Sequence, residues 1–243
     1  MDLNGRTALV TGSGHRVGRA IAVALGGRGM RVAVHYNSTA DGARETVKQI
    51  EAAGGEADVV AADLTRAESA AELIATVVET FGSLDVLVNS AAVMLRMPFG
   101  EITPEHWDEV MTLNLRAPFF LAQAAAPHLR AARGAVVNIA DLAAFETWPG
   151  YLPHGISKAG IVYMTRALAK VLAPEVRVAA VAPGTVLLPP NFDPVQTEHL
   201  RETTPLKRHG DPSDVTRTVL FILDSDYLTG ETILVDGGRH VRK

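Results

Sequence analysis

Residues 7–18, TALVTGSGHRVG, join a short apolar run to a glycine-rich turn, and a helical pattern follows from Arg19. Glycines let the backbone turn tightly and approach a pyrophosphate, while the next helix offers free N–H groups and a positive dipole end. The strict G-x-G-x-x-G pattern fails because Val17 stands where its third glycine belongs. The stretch predicts a strand, a turn and a helix around a dinucleotide; an ordinary tight connection is the alternative.

Short apolar runs alternate with longer amphipathic segments along the rest of the chain. Continuous apolar runs are typical of strands covered on both faces, as in a parallel sheet. Thr103 followed by Pro104 predicts the start of a helix. The alternation predicts an α/β protein, a single-domain Rossmann-type doubly wound parallel sheet of about seven strands with helices on both faces. The predicted strands are residues 7–11, 31–36, 56–61, 84–88, 135–139, 176–181 and 232–235.

The length of 243 residues suits one large α/β domain, so we expect one dinucleotide-binding domain over 1–243. Residues 187–205 form a polar, proline-containing stretch that interrupts the alternation. A long insertion at this place predicts a substrate loop that acts as a lid.

Composition narrows the classes of function. The net charge of −4 leaves no excess of positive charge that could bind nucleic acid or an anionic membrane, so we expect neither as a partner. The absence of cysteine excludes disulfides and thiolate chemistry, and the histidines lack metal-ligand spacing, so no metal is expected. No signal sequence or membrane-spanning run is visible. These features predict a cytoplasmic protein with a small-molecule substrate.

The glycine turn resembles the cofactor turn of the short-chain dehydrogenase/reductase family, with Arg16 where many members have glycine. Further matches follow in family order over nearly the whole chain, and the ordered set is far more specific than any one motif. They are ADL at 62–64, NSAA at 89–92, SKAG at 157–160, PG at 183–184, TGE at 229–231 and VDGG at 235–238.

The resemblance implies a set of cofactor contacts. Asp63 is expected to meet the adenine ring, Asn89 to brace the central sheet, and Pro183, Gly184 and Val186 to border the nicotinamide. Each also has an ordinary alternative, because Asp, Asn and Pro-Gly are common in turns. The full predicted set is Gly12, Ser13, Gly14, His15, Arg16, Val17, Gly18, Asn37, Ser38, Thr39, Asp63, Leu64, Asn89, Ala91, Lys158, Pro183, Gly184 and Val186.

The end of the second predicted strand favours NADP(H) over NAD(H). NAD enzymes usually place a carboxylate there to bind the ribose 2′-OH. This chain has Asn37, Ser38 and Thr39 instead, with no acid before Asp41. The guanidinium of Arg16 can attract a 2′-phosphate, and the three polar side chains can hydrogen-bond to it. The alternative is an ordinary loop in which Ser or Thr caps the next helix.

The family transfers hydride between a nicotinamide and a carbonyl or alcohol, and a Tyr four residues before a Lys usually moves the proton. Here Lys158 is present, and Asn114 matches an asparagine that supports a proton-relay water. His154 replaces the Tyr, and Asp141 replaces the Ser thirteen residues earlier. The predicted catalytic residues are therefore Asn114, Asp141, His154 and Lys158.

Two groups within the family are nearest in motif, the 3-oxoacyl carrier-protein reductases and the pteridine reductases. Pteridine and dihydromonapterin reductases resemble this chain in the Asp at the serine position, the Arg in the turn and a His-Tyr pair ending the second strand, here His35 and Tyr36. Tyr151 after Gly150 is similar to pteridine reductases again. Those enzymes nevertheless keep the catalytic Tyr.

Three interpretations of the catalytic centre stay open. His154 can act as the acid, the centre can be weakened or inactive, or Tyr151 or a water held by Asp141 can donate the proton. We therefore predict an NADP(H)-dependent oxidoreductase acting on a ketone, 3-oxoacyl or pterin-like substrate. The alternative is a non-catalytic NADP(H)-binding protein of the same fold. Met94, Met97, Phe99 and Trp148 are candidates for core positions or for an apolar substrate wall.

Segments 107–129 and 159–172 carry apolar residues around much of their circumference, which calls for cover on more than one side. The resemblance implies that these segments build a homodimer interface, commonly within a tetramer. A larger monomer core is the alternative.

Overall fold

The computed structural model describes residues 1–188 and 192–241. Its centre is a seven-stranded parallel sheet in the order β3-β2-β1-β4-β5-β6-β7. The predicted α/β fold with about seven parallel strands is confirmed. The strands are β1 (Thr7–Val10), β2 (Arg31–Tyr36), β3 (Glu56–Ala61), β4 (Val86–Asn89), β5 (Ala135–Ile139), β6 (Arg177–Pro183) and β7 (Thr232–Val235).

Helices cover both faces of the sheet. One apolar cluster packs α1, α2 and α8 against the strands through residues such as Ile21, Ile50 and Val219. The other packs α3, α5 and α6 through residues such as Val77 and Leu121. The helices are α1 (Arg16–Gly26), α2 (Ala40–Ala52), α3 (Ser69–Phe81), α4 (Pro104–Met111), α5 (Ala117–Ala132), α6 (Leu152–Leu172), α7 (Pro194–Thr203) and α8 (Pro212–Asp224).

Helix starts follow the capping chemistry of the sequence. Thr103 caps α4, with its Oγ1 accepting from the backbone N–H of His106 at 3.4 Å and Pro104 in the first turn, as predicted. Pro153 lies in the first turn of α6, so Tyr151 stands outside that helix at its N-cap.

Two segments contain elements that the sequence pattern did not predict. The segment 107–129 lies within helical backbone that runs from Pro104 to Ala132, with a π-helical turn at Thr112–Arg116 between α4 and α5. The stretch 187–205 contains helix α7, and its residues 189–191 lie outside the described residues. Within the described ranges, no helix has the length and apolar character needed to cross a membrane.

The strand order reverses between β1 and β4, which form neighbours at the centre of the sheet. In open α/β sheets, ligands bind outside the carboxyl ends of the strands at such a switch point. The turn after β1, the segment after β4 and the loop after β5 all lie at this edge. Short 3₁₀ turns follow there at Leu142–Ala144, Pro149–Tyr151 and Arg239–Val241.

Candidate active site

The turn after β1 has a backbone path that only glycine allows. Gly12 has a φ of +65°, and a Cβ on it would lie 2.9 Å from Cα of Ala91, on the segment after β4. A Cβ on Gly18 would lie 2.5 Å from the carbonyl oxygen of Gly12. Thr11 ties the same two segments together, because its Oγ1 accepts from the N–H groups of Ser90 and Ala91 at 2.9 and 3.0 Å. The switch-point crevice is therefore lined by backbone.

The side chain of His35, on β2, stabilises this turn. The N–H of Gly12 donates to Nδ1 of His35 at 3.0 Å, so the ring's proton is on Nε2, which donates to the carbonyl oxygen of Ala62 at 3.1 Å. The ring is buried, and this burial lowers the pKa of His35 to about 4. One neutral side chain thus connects the ends of β1, β2 and β3. The sequence pattern identifies His35 only as part of the His-Tyr pair and does not predict this role.

The N-terminus of α1 has no side-chain cap and no acidic residue in its first turn. Its N–H groups face the crevice side of the turn, which favours an anion. The exposed residues Asn37, Ser38 and Thr39 follow β2 beside it, since a Cβ on Gly14 would lie 2.8 Å from Oγ1 of Thr39. The structure thus brings the predicted 2′-phosphate residues next to the glycine turn.

Arg16 lies at the other side of the turn. It has a φ of +54°, and its Nη2 donates to the carbonyl oxygen of Leu187 at 2.6 Å. His15 and Arg16 are both exposed, and Val17 is half-buried. The guanidinium therefore connects the glycine turn to the start of the stretch predicted as a substrate loop.

The remaining predicted cofactor residues occupy the same edge. Asp63 accepts from the N–H and Oγ1 of Thr65 at 3.0 and 2.7 Å, and these bonds lower the pKa of Asp63. Leu64 beside it is buried. Gly184 follows Pro183 at the end of β6 and donates to the carbonyl oxygen of Val235 at 2.9 Å. Val186 packs toward Gly210 at the start of the next connection.

Asn89 ends β4 and begins a buried hydrogen-bond chain across the sheet. Its Nδ2 donates to Oδ1 of Asn138 at 2.9 Å, and Nδ2 of Asn138 donates to Oγ1 of Thr165 at 2.9 Å. Thr165 in turn donates to the carbonyl oxygen of Ile161 on α6. These hydrogen bonds fix α6, which carries His154 and Lys158, to the central strands.

Asn114 lies in the π-helical turn, and such turns often mark functional sites. It is 1% exposed and pairs with the backbone of Val93, accepting from its N–H at 2.8 Å and donating to its carbonyl oxygen at 2.9 Å. The second proton of its Nδ2 points to Oγ of Ser157 at 3.2 Å. The π turn thereby places the buried side-chain amide of Asn114 within hydrogen-bond distance of α6.

His154 is 3% exposed, and its ring is fixed on one side. Both Nδ2 protons of Asn114 have closer acceptors, so Nδ1 of His154 carries its own proton and donates to the carbonyl oxygen of Val93 at 3.2 Å. On the other side, Nε2 lies 3.7 Å from Oδ2 of Asp141. Nε2 is buried and has no hydrogen-bond partner among the described residues.

Lys158 lies one helical turn beyond His154 and is also buried. Its Nζ donates to the carbonyl oxygen of Ile139 at 2.8 Å. Burial lowers the pKa of Lys158 to about 8, and the Asp141 carboxylate partly opposes this. Asp141 is held by a bond from the N–H of Ala143 at 2.8 Å. All four predicted catalytic residues therefore meet at one place.

This geometry can bind a dinucleotide and move a proton. The uncapped helix end and glycine turn fit a pyrophosphate, and the buried ammonium of Lys158 is placed at the same sheet edge. Across 1–188 and 192–241, no group of three or more His, Cys, Asp or Glu side chains could hold a metal ion. The fold and the site define an α/β protein of the dinucleotide-binding type, with a group of ionisable side chains at the carboxyl edge of its sheet.

Comparison with known proteins agrees with this class. A family model described as enoyl-(acyl carrier protein) reductase matches residues 12–240. The granaticin polyketide synthase putative ketoacyl reductase 2 of Streptomyces violaceoruber is 39% identical, covering 96% of each chain. The 3beta-hydroxysteroid dehydrogenase 1 of Eggerthella lenta is 35% identical, covering 98% of this chain and 94% of that protein. The chain belongs to the short-chain dehydrogenase/reductase family.

A solved structure supports the same assignment. The angucycline C-6 ketoreductase LanV with bound NADP superposes with a TM-score of 0.93 at 33% identity, covering 99% of this chain and 97% of that one. The predicted family is therefore confirmed, and the relatives are oxidoreductases.

Proposed function

We propose that this protein is an NADP(H)-dependent reductase that transfers hydride to a carbonyl or C=N group, with His154 as the proton donor. The observation that carries the proposal is the buried Nε2 of His154, which lacks a hydrogen-bond partner among the described residues and faces the Asp141 carboxylate at 3.7 Å. Buried polar atoms normally have hydrogen-bond partners, so such a ring nitrogen among ionisable side chains at the carboxyl edge of the sheet marks a candidate place for a reacting group.

The chain's own groups supply the steps around the hydride. When bound, the nicotinamide supplies the hydride. The Nδ1–H bond to Val93 keeps the His154 ring oriented, so Nε2 can deliver a proton to the substrate oxygen or nitrogen. The Asp141 carboxylate stabilises the protonated ring, and the charged Lys158 favours negative charge on the substrate atom. After the transfer, the ring is neutral and keeps its Nδ1 proton.

NADP(H) is the proposed cofactor for two reasons. The residues after β2 are Asn37, Ser38 and Thr39, which are exposed, uncharged and able to donate hydrogen bonds to a 2′-phosphate. Arg16 in the same turn is proposed to supply a positive charge to the 2′-phosphate, in place of its bond to the carbonyl oxygen of Leu187. LanV, which has the same fold, binds NADP.

The substrate is proposed to be a small ketone, a 3-oxoacyl compound or a pterin-like C=N compound, bound within the one domain beside residues 187–188 and 192–205, which include α7. The relatives include a ketoacyl reductase and a hydroxysteroid dehydrogenase, and LanV has also been solved with rabelomycin at 32% identity, a TM-score of 0.89 and coverage of 99% and 98%. These names favour a ketone.

The test is NADPH oxidation against ketones, 3-oxoacyl thioesters and dihydropterins. His154→Ala should lower kcat by about 10²- to 10⁴-fold, the usual contribution of a general acid, with little change in NADPH affinity. His154→Gln is the matched control, because it keeps a buried polar side chain without an acid of suitable strength. An unchanged rate in His154→Ala would remove His154 from the mechanism.

The alternative of a non-catalytic binding protein is distinguished by the same experiment. It is supported if NADPH binds in calorimetry and no substrate of the panel is reduced. His154→Tyr separates a decayed centre from a working one. A large activation by this substitution would indicate that the original proton donor has been lost.

A further inference from the structure

A group of partly buried side chains forms around Arg239, after β7. The glycines at 237 and 238 have positive φ values of 66° and 85°. The carboxylate of Asp236 accepts from the N–H groups of Gly238 and His240 at 2.9 and 2.7 Å, which folds the chain into a 3₁₀ turn. This turn directs Arg239 inward, where it is 8% exposed.

Arg239 contacts two segments at the carboxyl edge of the sheet, one after β6 and one after β5. Its Nη1 donates to Oγ1 of Thr185, after β6, at 3.3 Å. Its Nε lies 3.4 Å from Oε2 of Glu146, after β5, and its guanidinium carbon lies 5.8 Å from the ring centroid of Trp148. Oε2 of Glu146 also accepts from Nε1 of Trp148 at 3.1 Å. Glu146 and Arg239 therefore hold the indole by its edge and by its face.

The indole belongs to the segment between Asp141 and His154. Its ring meets that of Tyr151 edge to face, with the centroids 6.2 Å apart, and both rings are half-buried. The carbonyl oxygen of Gly150 accepts from the N–H of Met97 at 2.9 Å, which ties this segment to the one after β4. The aromatic pair therefore stands directly before the helix that carries the proposed proton donor.

We propose that Arg239 is a positioning residue that fixes Trp148 and Tyr151 as a rigid aromatic wall, against which a planar, mostly apolar ring of the carbonyl substrate packs. The proposal rests on the reductase function given above and narrows its substrate to ring ketones. Aromatic side chains favour flat apolar partners, and a preformed wall avoids the ordering cost of binding. A linear 3-oxoacyl chain has no ring to pack against this wall, so the wall should add little to its binding affinity.

The first test separates ring from chain substrates. With 2-tetralone as the ring ketone, Arg239→Met should raise KM about tenfold, the scale of one lost aromatic contact, and leave kcat within about twofold. With an acetoacetyl thioester, KM should stay nearly unchanged. Arg28→Ala removes an exposed arginine paired with Asp224 and should leave both substrates unaffected.

A second readout does not depend on activity. The chain has two tryptophans, so Trp107→Phe leaves Trp148 as the sole emitter. In this background, Arg239→Met should shift the Trp148 emission to longer wavelength and increase its quenching by acrylamide. Saturable quenching of Trp148 by 2-tetralone in the NADP⁺ complex tests the wall even if no ketone is turned over.

Removing one partner of a buried ion pair can prevent folding, because the other charge is left unpaired. The double variant Glu146→Gln/Arg239→Met removes both charges and keeps an acceptor for Nε1 of Trp148. It should fold and show the same selective rise in KM. The proposal is overturned if this variant alters Trp148 emission with no change in KM for 2-tetralone, or raises KM equally for both substrates.

Discussion

Oδ2 of Asp141 lies 3.7 Å from Nε2 of His154, and the same carboxylate raises the pKa of Lys158 against the effect of burial. One acid therefore acts on two basic groups of the site. Because Asp141 follows β5 and the other two residues lie one turn apart on α6, the arrangement depends on how the loop after β5 meets that helix. The carboxylate therefore lies close to both side chains, and its effect on the pKa of Lys158 opposes the effect of burial.

The first prediction concerns the pH dependence of Asp141→Asn. Lys158 has a pKa of about 8, so its charge, and the rate that depends on it, falls as the pH rises through 8. Loss of the carboxylate removes an interaction that raises this pKa, so the descending limb of kcat/KM should move to lower pH. The rate should also fall, by about tenfold or more, because His154 loses the carboxylate that lies 3.7 Å from its Nε2.

The measurement is log kcat/KM from pH 5 to 10, with Asp224→Asn, an exposed acid paired with Arg28, as the control. A descending limb at the same pH in Asp141→Asn would show that Asp141 does not act on Lys158.

The second prediction concerns stability in acid. The pKa of His35 is about 4 in the folded protein and 6.5 in the unfolded chain, so the unfolded state binds the proton first. The free energy of unfolding should therefore be highest above pH 6.5 and fall between pH 6.5 and pH 4. The difference of these values corresponds to about 3 kcal/mol.

Urea unfolding at several pH values checks this expectation. His35→Gln can still accept from Gly12 and donate to Ala62 but does not titrate. Its free energy of unfolding should therefore fall less between pH 6.5 and pH 4 than that of the original protein. His199→Gln, which alters an exposed histidine, should match the original protein. Equal acid sensitivity in His35→Gln and the original protein would contradict the assignment.

The third prediction concerns the choice of cofactor. Arg16→Ala should weaken NADPH binding by about 10- to 100-fold, the scale of a hydrogen bond to a charged group, and leave NADH binding unchanged. Asn37→Asp places a carboxylate beside the expected 2′-phosphate and should favour NADH. Lys48→Ala, an exposed cation further along α2, is the control. If Arg16→Ala weakens the binding of NADPH and NADH equally, the effect of Arg16 comes from its bond with Leu187 and not from contact with the 2′-phosphate.

Much of the fold is predictable from apolar runs. The strands at 31–36, 56–61, 135–139 and 232–235 have the predicted bounds, because each is a short run rich in Val, Ile and other apolar residues. The catalytic group is partly predictable, because a spacing of four residues puts His154 and Lys158 on one helix face.

Other features depend on contacts that no local pattern encodes. His35 joins residues 12 and 62 only after three strands pair, so its role follows from the register of the sheet. The π turn around Asn114 has no distinct composition. Arg239 reaches Glu146 only after the last strand has joined the sheet.

The last prediction concerns assembly, which we propose occurs through α5 and α6. Phe119, Phe120 and Tyr163 are 42%, 43% and 76% exposed. They line a groove with Leu115 and Met164. Contiguous apolar surface of this kind marks interaction sites. Tyr163→Glu should place a charge in the interface and yield a monomer by light scattering, where the original protein is expected to be a dimer or tetramer.

Phe99→Glu is the matched control for this test. Phe99 is 80% exposed and lies between β4 and α4, outside the groove, so its substitution should leave the assembly unchanged. Because a buried carboxylate without a partner costs several kcal/mol, Tyr163→Glu should dissociate an interface that covers this tyrosine. If the original protein and Tyr163→Glu have the same mass in solution, the apolar faces of α5 and α6 do not form the interface.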